Sequence, residues 1–343
     1  MMKALSIDQP GALSFTALPW RPAGSGEIGI RIAYIGYCGS DLNSYRGKNP
    51  LVQYPRVPGH EISGVIETIG ADVPEHFHVG QQVCVLPYFN CGTCNACRMG
   101  RPNACKHNET LGVQREGALT EFIAVPHGKV IPVDGLALRD LALIEPLAVG
   151  FHAVRRAEVA EGERVVVLGC GVIGLGAVLG AVTRGARVIA VDLAASKLAQ
   201  AKALGAEDVI DASQIDVGDA VRALTGDDGP QVVIEAVGAE QTFTQSIDIV
   251  ASCGRVVYVG YAKNPVTYET RFFLMKEIDI RGSRGAQLAD FGDVITALKQ
   301  RPEIGDLVVS RVAPFSEAAD AMRAWDADPG AFTKILIDMR GAV

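Results

Sequence analysis

Residues 164–192 constrain this chain more than any other stretch. Val165–Leu168 is a short apolar run of strand character, Gly169-Cys170-Gly171-Val172-Ile173-Gly174 follows it, and a helix-compatible segment runs on to Thr183. A second strand-like run, Arg187–Val191, ends at Asp192. Strand, glycine-rich turn, helix, strand and terminal acid, in that order, form a dinucleotide-binding arrangement. Gly169, Gly171 and Gly174 permit a tight turn and close approach of a pyrophosphate, which then rests on the helix N-terminus opened by Val172 and Ile173. Asp192 stands where an acid meets the adenosine ribose hydroxyls. A carboxylate there repels a 2′-phosphate, and Leu193-Ala194-Ala195 brings no arginine to hold one, so NAD is expected rather than NADP. Lys197 is a second candidate at the ribose, although a solvated helix lysine accounts for it equally well.

The same stretch carries no charge from Val165 to Thr183 and is long enough to suggest a membrane span. Gly169, Gly171, Gly174, Gly176 and Gly180 sit where a turn and a helix start need them, which disfavours that reading. Further strands are expected at Asp208–Ile210, Gln231–Ala236, Arg255–Tyr261 and Ile278–Gly282, with helices near 214–225 and 240–251. Together they make an α/β fold with a six-stranded, doubly wound parallel sheet. The front third reads differently. It has short strands, many prolines and glycines and no long amphipathic helix, and Gly36–Asp41 reads as a loop. The tail, after a helix at Gln287–Gln300, returns to that β domain. The expected boundaries are 1–149 with 285–343 for the first domain and 150–284 for the second.

Cys91-Gly92-Thr93-Cys94-Asn95-Ala96-Cys97, closed by Cys105, places four thiols in one loop. That set suits a closed tetrahedral structural zinc. A bacterial iron–sulfur run begins with the same spacings but closes after three residues with Cys-Pro; here the gap is seven and Lys106 follows. Nothing resembling an export signal precedes Pro10, so reduced, metal-binding cysteines and a cytoplasmic protein are expected. Net charge is −7 and no Lys/Arg block occurs, so neither nucleic acid nor an anionic membrane is an expected partner.

Gly59-His60-Glu61-Ile62-Ser63-Gly64, Cys38 in the turn Cys38-Gly39-Ser40-Asp41, and Glu145-Pro146 offer thiolate, imidazole and carboxylate. Zinc accepts all three, and a catalytic zinc takes three protein ligands and keeps one position open. A lone histidine is more often a packed residue than a ligand, so the set matters more than any member.

Taken together, these motifs resemble the zinc-dependent medium-chain dehydrogenases from end to end, and within them the polyol and sugar-acid branch. Tyr45-Arg46-Gly47-x-Asn49-Pro50 and Tyr54-Pro55-Arg56-Val57 are similar to bacterial dehydrogenases that oxidise C5 of hexonates such as L-gulonate or L-galactonate. The resemblance implies a GroES-like catalytic domain and a Rossmann domain, one catalytic and one structural zinc, NAD, a small polyol or sugar-acid substrate, and a homodimer or homotetramer. It implies that Cys38, His60 and Glu145 hold the catalytic zinc, that Glu61 approaches the metal and retreats, and that Ser40 takes the substrate proton. Cys91, Cys94, Cys97 and Cys105 would hold the structural zinc. Asn43 departs from the family, which often has a relay histidine there, and asparagine exchanges no proton at neutral pH. Candidate substrate contacts are Asn43, Tyr45, Arg46, Arg115, Glu116 and Arg284, with Arg46 as the partner of a sugar-acid carboxylate. Rival readings are a neutral-polyol or L-threonine 3-dehydrogenase and, outside enzymes, an NAD- and zinc-binding sensor.

Overall fold

A computed structural model describes residues 1–342. The chain divides into two compact units, Met1–Glu145 with the segment from Leu298 onward, and Pro146–Ala297. Both dividing points fall inside helices, Ile144–Ala157 and Leu288–Gln300, rather than at the 149/150 and 284/285 positions suggested by composition.

In the first unit the strand Glu27–Gly36 is the hub of a seven-stranded sheet. It pairs antiparallel with Glu61–Ile69, with Phe122–Pro126 and with Ile335–Asp338, a strand near the far end of the chain. Its isoleucines at 28, 30, 32 and 35 are almost wholly buried and meet Leu5, Ile62, Ile66, Leu119 and Ile337 in one apolar core. Truncating one such side chain to alanine costs about 2–5 kcal/mol. Gly36 has a steric reason to be glycine: a Cβ there would collide with the carboxylate of Glu61. Gly36–Asp41 is not wholly a loop. A helix runs over Gly39–Tyr45, too short to display a 3.6-residue period, and the Asp41 carboxylate reaches back to accept from the Cys38 N–H at 2.9 Å.

The second unit is a parallel six-stranded sheet in the order Asp208–Asp211, Arg187–Asp192, Arg164–Leu168, Val232–Glu235, Arg255–Tyr258, Asp279–Gly282. Numbered along the chain this is 3-2-1-4-5-6, the doubly wound topology expected from the sequence. Its central strands read as continuous apolar runs because both faces are buried: Val165–Leu168 and Val232–Ile234 are inaccessible to solvent. The expected strand Arg255–Tyr261 stops at Tyr258. Within this unit a buried polar group joins two helices. Asp290 is inaccessible and accepts from Arg155 Nε at 2.6 Å and from the Gln287 N–H at 2.8 Å, with His152 Nδ1 2.8 Å away. No described helix is long and apolar enough to cross a membrane.

Candidate active site

The antiparallel register of Glu27–Gly36 with Glu61–Ile69 sets Gly36 opposite Glu61. The chain leaving Gly36 therefore delivers Tyr37 and Cys38 to the place where His60 and Glu61 enter the partner strand. Ligand atoms of Cys38, His60 and Glu61 all lie within 4.8 Å of one another; His60 and Glu61 are buried and Cys38 is partly exposed. Thiolate, imidazole and carboxylate at that spacing fit one divalent ion of the zinc type. Glu145 stands outside this set. It is buried, and the Tyr88 hydroxyl donates to its Oε1. Of the triad implied by the resemblance, Cys38 and His60 are brought together, with Glu61 rather than Glu145 beside them, and Glu145 accepts from Tyr88.

Three further residues shape the site. Asp41 is inaccessible and accepts from the Cys38 N–H; its Oδ1 is 3.4 Å from the Gly59 N–H and 3.8 Å from His60 Nδ1. His60 Nδ1 has no hydrogen-bond partner, and the Asp41 carboxylate lies beyond hydrogen-bond distance of it. A carboxylate that accepts the other ring N–H of a ligating imidazole fixes its orientation, and Asp41 stands on the side where closing the 3.8 Å gap would form that bond. Lys334, 2 % exposed, places Nζ 2.6 Å from both oxygens of Glu61 and 2.9 Å from the Tyr37 carbonyl. Tyr88 is the third.

Burial alone would lower the His60 pKa, but the Cys38 thiolate and the Asp41 and Glu145 carboxylates outweigh it and hold it well above the usual imidazole range. Burial raises Glu145, with the Glu61 charge adding to it, against the opposing pull of His60, Tyr88 and Lys334. Burial and then the Glu145 charge push the Tyr88 phenol well above its ordinary value, so it stays a proton donor. Three buried carboxyls, Asp41, Glu61 and Glu145, face one buried lysine, Lys334, a surplus of acids that a bound cation would offset.

Ser40 Oγ is buried without a hydrogen-bond partner. Asn43 is half-buried and Tyr45 is buried. The charged substrate candidates are committed to other partners. Arg46 Nε is 2.5 Å from Asp326 Oδ1 and its Nη2 donates to the Asp326 carbonyl. Arg115 pairs with Glu109 at 2.6 Å and stacks over Phe89, and Glu116 accepts from Arg56 and from the Val57 N–H.

The cysteine loop is folded for an ion. Sulfur–sulfur distances are 3.5 Å for Cys91–Cys105, 3.6 Å for Cys94–Cys97 and 3.7 Å for Cys94–Cys105. A tetrahedron with metal–sulfur bonds of about 2.3 Å has edges of about 3.8 Å. N–H groups of Cys91 and His107 point at the Cys105 sulfur, each at 3.3 Å. Donors from the Thr93 backbone and hydroxyl and from the Cys94 N–H pull the Cys91 thiol down to about 5.

In the second unit, Gly171 caps the helix Val172–Val182, and Gly169 has φ +93°, a value open to glycine. A Cβ on Gly174 would strike the Gly169 carbonyl. Asp192 accepts from the Cys170, Leu193 and Ala194 N–H groups at 2.7, 2.8 and 3.0 Å. With Gly169 and Lys197 it lines a cavity of about 720 Å³ that also takes in Ile215, Val237 and Thr242. Of the expected dinucleotide residues, Gly169, Asp192 and Lys197 line this cavity, while Gly171, Val172, Ile173 and Gly174 are not among its lining residues.

Sequence reasoning assigned no role to Asp41, Tyr88 or Lys334. Asp41 had a local signal, since its spacing from Cys38 is that of a residue reaching back to a helix start. Tyr88 and Lys334 had none.

Comparison with known proteins agrees with this architecture. Residues 24–135 match the alcohol dehydrogenase GroES-like domain, and residues 172–300 match the zinc-binding dehydrogenase domain. The chain is 34% identical to the L-galactonate-5-dehydrogenase of Escherichia coli (strain K12), over 93% of this chain and 94% of that protein. It is 33% identical to a sorbitol dehydrogenase of Halalkalibacterium halodurans, over 94% and 96%. Among solved structures, a short chain alcohol dehydrogenase from E. coli CFT073 complexed with NADH superposes with a TM-score of 0.91 at 29% identity, covering 98% of this chain and 99% of that one. With matched domains at both ends and full-length relatives above 30% identity, the chain belongs to the zinc-dependent medium-chain dehydrogenases, in their polyol branch.

Proposed function

We propose that this oxidoreductase uses NAD to oxidise a secondary hydroxyl of a sugar acid or polyol to the ketone, with C5 of a hexonate such as L-gulonate or L-galactonate as the leading substrate. The convergence of Cys38, His60 and Glu61 carries the reaction class. The likeness to L-galactonate-5-dehydrogenase supports the substrate, and the NADH-bound neighbour and Asp192 support the cofactor.

Cys38, His60 and one glutamate, Glu61 or Glu145, hold the zinc in this reading. When bound, that ion supplies Lewis acidity that makes the substrate hydroxyl more acidic, while NAD accepts the hydride. Asp41 orients His60 and the backbone of Cys38. Ser40 Oγ takes the substrate proton. Asn43 passes no proton onward, so the exit runs through water or the cofactor ribose.

Neutral-polyol oxidation is a second reading with its own support. The sorbitol dehydrogenase relative is almost equally similar, and Arg46, the expected carboxylate partner, is tied to Asp326. A panel of hexonates, polyols and L-threonine, followed by NADH absorbance with and without a zinc chelator, decides among the readings. A hexonate is expected to give the highest kcat/KM, with chelation abolishing turnover. Turnover of polyols alone would transfer the assignment to them. Complete inactivity with NAD still binding would favour a sensor.

A further inference from the structure

Tyr88 lies on a two-residue strand, Tyr88–Phe89, paired antiparallel with Glu109–Thr110. These two strands form the stem of the loop that carries Cys91, Cys94, Cys97 and Cys105. The stem is braced on several sides. The Leu111 N–H donates to the Pro87 carbonyl at 3.1 Å, Lys129 Nζ donates to the Tyr88 carbonyl at 2.5 Å, and the Arg115 guanidinium covers the Phe89 ring at 4.2 Å. A side chain on such a base has little freedom. Its hydroxyl donates to Oε1 of Glu145, distant in sequence and buried.

A glutamate side chain has three rotatable bonds and two equivalent oxygens, so a carboxylate left to itself can face an ion with either oxygen, with both or with neither. A donor fixed to Oε1 occupies one of its lone pairs and fixes the carboxylate's rotation, which favours Oε2 as the oxygen that ligates. We propose that Tyr88 is a positioning residue, whose hydroxyl holds Glu145 in a one-oxygen pose toward the catalytic metal. The proposal rests on the reading of Cys38, His60 and Glu145 as that metal's ligands. The cysteine loop, through its stem, supplies the rigidity that makes the hold effective.

The test uses the zinc-loaded enzyme and measures zinc release into a chelating dye, which separates the two ions kinetically. Wild type is compared with Tyr88→Phe, Glu145→Gln and the double variant. Glu145→Gln identifies the catalytic phase as the one it accelerates. Tyr88→Phe is expected to accelerate that same phase by about 10–100-fold, the usual effect of removing an outer hydrogen bond to a metal ligand. It is expected to leave the cysteine-loop phase unchanged, which also reports that the stem still folds. The double variant is expected to release no faster than Glu145→Gln alone. An unchanged or slower catalytic phase in Tyr88→Phe, with Glu145→Gln still fast, overturns the proposal and leaves the ligand reading intact. If Glu145→Gln itself alters neither phase, the ligand reading fails and takes the proposal with it.

Discussion

Lys334 Nζ sits 2.6 Å from each carboxylate oxygen of Glu61, although the two residues are 273 apart in sequence. Both side chains are shielded from water, at 1% and 0% exposure. Removing one partner of a buried pair leaves the other charge uncompensated, which costs about 3–5 kcal/mol. Lys334→Met is expected to lose that much in urea unfolding, and adding Glu61→Gln is expected to recover part of the loss. Equal stability of the single and double variants would show the pair to be energetically idle.

The same pair bears on metal ligation. Zn²⁺ with one thiolate, neutral His60 and one glutamate is net zero; a second glutamate makes it −1 and a weaker Lewis acid. Lys334 already neutralises Glu61, so Glu145 is expected to be the one carboxylate at inner-sphere distance in a complex with substrate and NAD. A crystal structure of that complex with both carboxylates at about 2.0–2.2 Å would refute the charge argument.

Arg46 was the natural partner for a sugar-acid carboxylate by residue type, but Asp326 holds it. Arg46→Ala is therefore expected to change KM for a hexonate and for a neutral polyol by the same factor. A rise confined to the hexonate would restore Arg46 to the substrate site.

Asp192 combines cofactor choice with loop architecture, since it accepts three backbone N–H groups, including that of Cys170 in the glycine turn. Hydrogen bonds to a charged acceptor contribute roughly 1.5–3 kcal/mol each. Asp192→Ala is expected to raise KM for NAD at least about tenfold, the equivalent of losing one such bond. The preference for NAD over NADP should shrink at the same time. Steady-state kinetics with both cofactors measures this.

Acid should weaken the second unit through Asp290. Burial alone would raise its pKa, but His152 and Arg155 more than compensate and hold it below the ordinary carboxylate value. A depressed folded pKa contributes stability that is present above the unfolded value, near 4, and disappears as pH falls through the folded one. Asp290→Asn is expected to cost roughly 1.5–3 kcal/mol at neutral pH. The gap from wild type should begin to narrow near pH 4 and close as pH falls through the lower folded value, as thermal melts across pH would reveal.

The doubly wound sheet was legible because its inner strands are short apolar runs, Val165–Leu168 leading into Gly169 and Val188–Val191 and Val232–Ile234 into an acid, and the cysteine loop because its four thiols are local. Cys38, His60 and Glu61 were legible as ligand types, and the strand register explains how they meet. Lys334 and Tyr88 were invisible for the opposite reason. Lysine and tyrosine are common residues, and the partners that give these two meaning lie far along the chain. The helix Gly39–Tyr45 was missed because two turns are too few to reveal a period.

The strand Ile335–Asp338 lies against Glu27–Gly36, and Lys334 stands at its threshold. During synthesis, the residue that balances Glu61 emerges from the ribosome 273 residues after it. Every shorter nascent chain must carry an unmatched acid in its forming β domain. Completion of that domain therefore waits until position 334 and the strand after it have been made, and a frameshift or stop codon just before position 334 should yield a polypeptide destined for proteolysis, even though every thiol and imidazole of both metal sites has already been made.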